Sequence, residues 1–97
     1  MAKRKDDFEK YLERQMKKEE FREAYEELEP LYTLIKEEIR IRLKKGITQE
    51  ELAKRMHTTQ SAIARFESGS VNPTIEFISR LSKALGAELK VVIEMQT

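Results

Sequence analysis

The sequence predicts an all-α fold closed by one C-terminal strand, and three observations carry that expectation. Good helix formers (Glu, Lys, Leu, Ala and Arg) dominate the 97 residues, with only two prolines and three glycines between them. Apolar residues recur at steps of three and four through most of the chain and switch to alternation near its end. There is no cysteine, so no disulfide framework or thiolate metal site supports the fold; this composition fits a reducing, cytoplasmic setting. The length allows one small domain plus an appendage.

Residues 1–29 are expected to form an N-terminal helical extension. Phe8, Tyr11, Leu12 and Met16, then Phe21, Ala24, Tyr25 and Leu28, follow helical steps with a phase slip between the two groups. This pattern predicts one long helix from Asp6 to Glu29 or two short ones broken near Lys18. Asp6 and Asp7 suit a helix N-terminus, and Pro30 disfavours helical backbone at Glu29, which predicts a boundary there.

Residues 30–86 are expected to form the main domain. A helix from about Pro30 to Lys45 places Leu34, Ile35, Ile39 and Leu43 in register, and Gly46 ends it. Thr48-Gln49-Glu50-Glu51 has the form of a capping box opening a helix that buries Leu52, Ala53 and Met56. Thr58 or Thr59 caps a further short helix with Ala62, Ile63 and Phe66 inward, stopped by Gly69. Asn72-Pro73-Thr74 introduces a last helix carrying Ile75, Ile78, Leu81, Ala84 and Leu85, which Gly86 ends. Residues 87–97 are expected to be a strand, because Leu89, Val91, Ile93 and Met95 alternate with Glu88, Lys90 and Glu94. A lone strand leaves its edges unpaired, so pairing with the same strand of a second chain predicts a homodimer.

Composition excludes several classes of function. Val91-Val92-Ile93 is the longest strongly apolar run, far short of the roughly 18 residues that span a bilayer, so no membrane partner is expected. One histidine, His57, and no cysteine leave no metal cluster, no cofactor is implied, and no nucleophile, base or paired-acid pocket can be nominated. The chain is not expected to be an enzyme or to have a small-molecule substrate. Residues 1–30 carry eight basic and ten acidic side chains, whereas residues 31–97 carry eleven basic and eight acidic. The later segment is the electropositive one, with Glu50, Glu51 and Glu67 diluting it.

Two capped helices joined by a very short turn over residues 48–69 have the form of a helix-turn-helix. Gly46-Ile47-Thr48-Gln49-Glu50-Glu51-Leu52-Ala53, Thr59 to Gly69 and Asn72-Pro73-Thr74-Ile75 resemble the Xre and phage-repressor family of DNA-binding domains across roughly residues 36–86. The resemblance implies double-stranded operator DNA as a partner. Gln49 then matches a phosphate anchor, and Thr59, Gln60, Ser61 and Arg65 match positions facing the major groove, where Gln can read adenine and Arg guanine. Thr58, in the turn, joins this DNA-facing set; Ser70, Asn72 and Thr74 are candidate phosphate contacts, with loop capping as the alternative for each. Arg42 and Glu67 match a partly buried, structural ion pair. His57 departs from the family, which commonly has glycine at this turn position.

The extension carries four aromatics on a strongly charged helix. It could fold back on its own domain or dimer mate, or dock in a groove of another protein. The segment from Phe21 to Pro30, the domain and the terminal strand together resemble HigA-type antitoxins of toxin-antitoxin modules. That resemblance implies a basic RelE/HigB-class toxin as partner, with Phe8, Tyr11, Leu12, Phe21 and Tyr25 as candidate anchors, and repression of the chain's own promoter. A stand-alone repressor without a toxin would use the same DNA-facing residues, and an adaptor would have kept the fold for protein binding alone.

Overall fold

The computed structural model of the chain describes residues 7–15 and 19–96, and of residues 19–21 the backbone alone. Asp6 as a helix start, Met16, the break near Lys18 and the side chain of Phe21 lie outside the described residues. Among the described residues five helices occur: α1 Asp7–Gln15, α2 Glu19–Lys44, α3 Gln49–Arg55, α4 Gln60–Glu67 and α5 Ile75–Ala84. The chain divides into two units, Met1–Pro30 and Leu31–Thr97.

In the first unit, α1 opens with Asp7 and Glu9 and closes with Arg14, which complements the helix dipole at both ends. It buries no residue: Phe8 and Leu12 are half-buried and Tyr11 is exposed. The boundary expected at Pro30 is not there, because Pro30 lies inside α2. Proline removes one helical hydrogen bond and crowds the carbonyl four residues earlier. That carbonyl belongs to Glu26, an exposed residue, where solvent can replace the missing donor.

The second unit repeats one way of starting and one way of ending a helix. Thr48, Thr59 and Thr74 cap α3, α4 and α5, each side-chain oxygen accepting a backbone N–H three residues on, at 3.0–3.1 Å. Thr59, not Thr58, is the cap of α4. At the other ends, Ile47, Thr58, Ser70 and Ala87 donate backwards to the carbonyls of Arg42, Ala53, Arg65 and Ser82, at 2.9–3.3 Å. This closure needs a left-handed residue just before the donor. Three of the four are glycines, and the fourth is His57 at φ 55°.

The core gathers Ile35 from α2, Ile47 from the following turn, Leu52, Ala53 and Met56 from α3 and its cap, Ile63 and Phe66 from α4, and Leu81 and Leu85 from α5 and its cap. Phe66 and Phe77 lie tilted with ring centroids 5.6 Å apart, joining α4 to α5. Helices α3 and α5 also cap each other: Arg55 Nη1 donates to the Ala84 carbonyl at 3.3 Å, and Arg80 Nη2 donates to the Met56 carbonyl. Two expected core positions are exposed, Leu43 at 63% and Ile75 at 61%. On α2 the buried stripe runs through Ile35, Glu38 and Arg42, with Ile39 partly buried against the core, so two ionisable residues take core-facing positions and Leu43 is left exposed.

Residues 87–96 form neither helix nor strand. The expected C-terminal strand is therefore absent from the single chain, and the physical reason is that a strand exists through a ladder with a neighbour. Val91, Val92, Ile93 and Met95 are all more than 60% exposed.

Candidate nucleic-acid interface

Helix α4 turns Ile63 and Phe66 into the core, which leaves Gln60, Ser61 and Arg65 on the outward face. Thr59 stands at the head of that face, its hydroxyl oxygen engaged by the Ala62 N–H. Gln49, half-buried at the start of α3, is brought to the same place. Its Oε1 accepts from Gln60 Nε2 at 3.3 Å, while its own Nε2 donates to Glu67 Oε1 at 2.9 Å. The amide of Gln49 is thereby fixed from behind, and Gln60 is aligned against it. A glutamine held this way presents an oxygen acceptor and a nitrogen donor, the pair that matches N6 and N7 of adenine.

Behind the amides, Arg42 makes a two-pronged contact with Glu67, Nε to Oε2 at 2.8 Å and Nη2 to Oε1 at 2.9 Å. Its Nη1 donates to the Ile47 carbonyl at 3.0 Å, tying α2 to the turn before α3. Burial would raise the Glu67 pKa, but the hydrogen bonds from Arg42 and Gln49, with the neighbouring Glu38 carboxyl group, outweigh it and hold the carboxyl below its ordinary value. Glu38, 3% exposed and 3.9 Å from Arg42 Nε, behaves oppositely. Burial first, then the neighbouring Glu67, push its pKa up to about 9. Glu38 was missed because apolar periodicity ignores charged residues, although its position three beyond Ile35 and four before Arg42 marks it for the same face.

The other nominated residues are spread around this centre. Thr58 spends its backbone N–H on the Ala53 carbonyl and sits in the turn between α3 and α4. The Ser70 hydroxyl donates to the Arg65 carbonyl at 3.2 Å and contacts the Ser68 hydroxyl at 2.9 Å, so it helps close α4. Asn72 is exposed in the loop before α5, and the Thr74 hydroxyl caps that helix. In the first unit, Tyr11, Leu12, Phe8 and Tyr25 lie on α1 and α2 apart from these residues in sequence. Arg55, His57, Arg80 and Lys83 line a separate surface cavity, where Arg55 and Arg80 are turned toward helix-end carbonyls. No helix among the described residues is long and apolar enough to cross a membrane.

Comparison with known proteins agrees with this geometry. Residues 39–92 match the helix-turn-helix family. An uncharacterized HTH-type transcriptional regulator of Methanothermobacter thermautotrophicus is 41% identical over 56 residues, covering 58% of this chain and 77% of that protein. Another such regulator, from Haemophilus influenzae, is 41% identical over 59 residues, covering 61% of this chain and 60% of its own. Antitoxin HigA1 of Mycobacterium tuberculosis is 31% identical over 77 residues, which is 79% of this chain; the chain spans about half of that relative's length. No solved structure gives a significant match. With the family match spanning more than half of its length, the chain belongs to the Xre-type helix-turn-helix family of DNA-binding regulators.

Proposed function

We propose that this chain is the antitoxin of a HigBA-like module: a homodimeric, sequence-specific repressor of its own promoter that also binds and neutralises a RelE/HigB-class toxin. The observation that carries the DNA-binding half is the outward face of α4, where Gln60 is held against Gln49 and Arg65 stands exposed five residues further along. Gln60 and Arg65 read base edges in the major groove, Gln49 anchors a phosphate, and Thr58, Thr59, Ser61, Ser70 and Asn72 supply surrounding contacts. The domains follow this division of labour, with residues 1–29 for the toxin, 30–86 for DNA and 87–97 for dimerisation. A dimer places two α4 helices on half-sites about 34 Å apart or a multiple of it, and the exposed valines and isoleucine of the tail are the surface a second copy would cover.

Two observations support the toxin-binding half. The 77-residue match to the HigA1 antitoxin is longer than the whole of Leu31–Thr97, so it includes at least ten residues of the first unit. That unit is acidic and its α1 buries no residue, which suits a basic partner seated on Phe8, Tyr11, Leu12, Phe21 and Tyr25. The two regulators at 41% identity match over shorter stretches and favour a second reading, a stand-alone repressor.

Affinity capture from source cells with the tagged full chain, and with Tyr11→Asp combined with Leu12→Asp, separates the two. The antitoxin reading expects a small basic protein on the wild-type bait, lost from the double variant, with operator DNA on both. Operator DNA on both baits with no protein partner contradicts it and leaves the stand-alone repressor.

A further inference from the structure

We propose that Glu38 is a positioning residue for DNA recognition: its carboxyl group acts as a hydrogen-bond donor to Glu67 and, through Glu67, fixes the amide of Gln49 against which Gln60 is aligned. This rests on the α4 face being the one that reads DNA. Three facts about the buried cluster carry it.

The first is donor arithmetic around Glu38. Both of its oxygens are buried, and no N–H or hydroxyl donor reaches either. Arg42 directs Nε and Nη2 at Glu67 and Nη1 at the Ile47 carbonyl, leaving its Nε 3.9 Å from Glu38, too far for a hydrogen bond. The polar neighbour that remains is the Glu67 carboxyl group, which meets the same Arg42 Nε at 2.8 Å. Two carboxylates repel, whereas an acid beside a carboxylate is bonded, so the contact is favourable only with a proton on one of them.

The second is charge. Arg42 is one cation beside two carboxyl groups, and a buried cluster tolerates a net charge poorly. Glu67 already receives both prongs of Arg42 and the Gln49 amide, which stabilise it as the anion. Glu38, with no such donors, is therefore the group that keeps the proton; burial first, then the neighbouring Glu67, raise its pKa. The groups facing Glu38 are Arg42 on its own helix and Glu67 from α4.

The third is what Glu67 touches next. The same Oε1 that accepts from Arg42 also accepts from Gln49 Nε2, and the far side of that amide accepts from Gln60. A second negative charge at Glu38 would compete for Arg42 and push on Glu67. The Gln49 amide would lose its fixed acceptor, and the donor and acceptor edges of Gln60 would no longer be set for one base.

The test uses the full chain in two ways, one without DNA. Carboxyl and side-chain amide NMR across pH should show Glu38 protonated at pH 7 and titrating on the alkaline side. The Gln49 and Gln60 amide signals should move with the same midpoint in the wild type and stay put in Glu38→Gln, whose amide replaces the acid as donor. Titration of Glu38 in the ordinary carboxylate range, or amide signals indifferent to it, overturns the proposal.

The second arm selects duplexes from a randomised pool at pH 7. Glu38→Gln should recover the wild-type motif. Glu38→Leu, which keeps the core filled but has no donor, should lose roughly tenfold in preference at one base pair per half-site, the scale of one hydrogen bond. An unchanged motif in a folded Glu38→Leu variant contradicts the proposal. A wild type that selects no motif removes the DNA-reading role of α4 instead, an outcome distinguishable because the NMR arm needs no DNA.

Discussion

Glu38 makes stability depend on pH with a sign opposite to that of most carboxylates. Between the ordinary value of 4.5 and the folded value of about 9, the unfolded chain has released a proton that the native chain still holds. Stability therefore falls as pH rises across that window, by at most ~1.4 kcal/mol per pH unit from this group. Glu67 acts the other way, its contribution being present above the ordinary carboxylate range and lost on acidification. Denaturant unfolding of wild type and Glu38→Gln from pH 5 to 9 should show the variant gaining steadily on the wild type; parallel curves would refute the assignment. Glu67→Ala strands Arg42 and should cost on the order of 3 kcal/mol. In a Glu38→Gln background the cost should rise, because Glu38, 3.9 Å from Arg42 Nε, can no longer ionise and take over the pairing; a double-mutant cycle without coupling would contradict this. His57 holds φ 55° where the other three helix ends use glycine. Its replacement by glycine should raise stability by about 0.5–1 kcal/mol, read as a higher melting temperature. The Arg42–Glu67 pair was legible in the sequence through the family resemblance alone; spacing from Ile35 and Arg42 marks the face of Glu38, but its role depends on a partner 29 positions away and was not legible.

At the scale of elements, local chemistry was most legible where a few residues decide it. Three threonines at helix starts and three glycines at helix ends appear in the sequence and act as expected in the structure. Thr59→Ala removes the acceptor for the Ala62 N–H and should destabilise by about 1 kcal/mol. Because that cap also sets the start of α4, DNA affinity should fall with stability, as binding titrations beside thermal melts would show. The elements that were misread depend on something non-local. Pro30 is locally a helix breaker, but α2 continues through it, and the carbonyl it leaves without a donor belongs to an exposed residue, Glu26. Leu43 and Ile75 fit a helical period yet face solvent, since periodicity fixes spacing and leaves the choice of buried face to the neighbouring helices. The tail alternates like a strand and has no ladder within one chain.

For the whole molecule, charge is arranged by segment. The acidic excess of residues 1–30 and the basic excess of residues 31–97 nearly cancel, so total charge conceals two segments of opposite sign. If the tail forms the proposed dimer, Val91→Asp combined with Ile93→Asp should convert a dimer to a monomer in sedimentation velocity and weaken binding to a two-half-site duplex far more than to a single half-site. The central claim is that Gln60 and Arg65 read DNA from the outer face of α4. Its most direct test is the affinity of the full chain for its selected duplex against a scrambled duplex, for wild type and for Gln60→Ala with Arg65→Ala, across salt concentration. The account predicts a wild-type preference that the double variant loses while keeping its helicity and a residual, salt-sensitive, sequence-independent affinity. A wild type indifferent to sequence, or a double variant that keeps the preference, would contradict it.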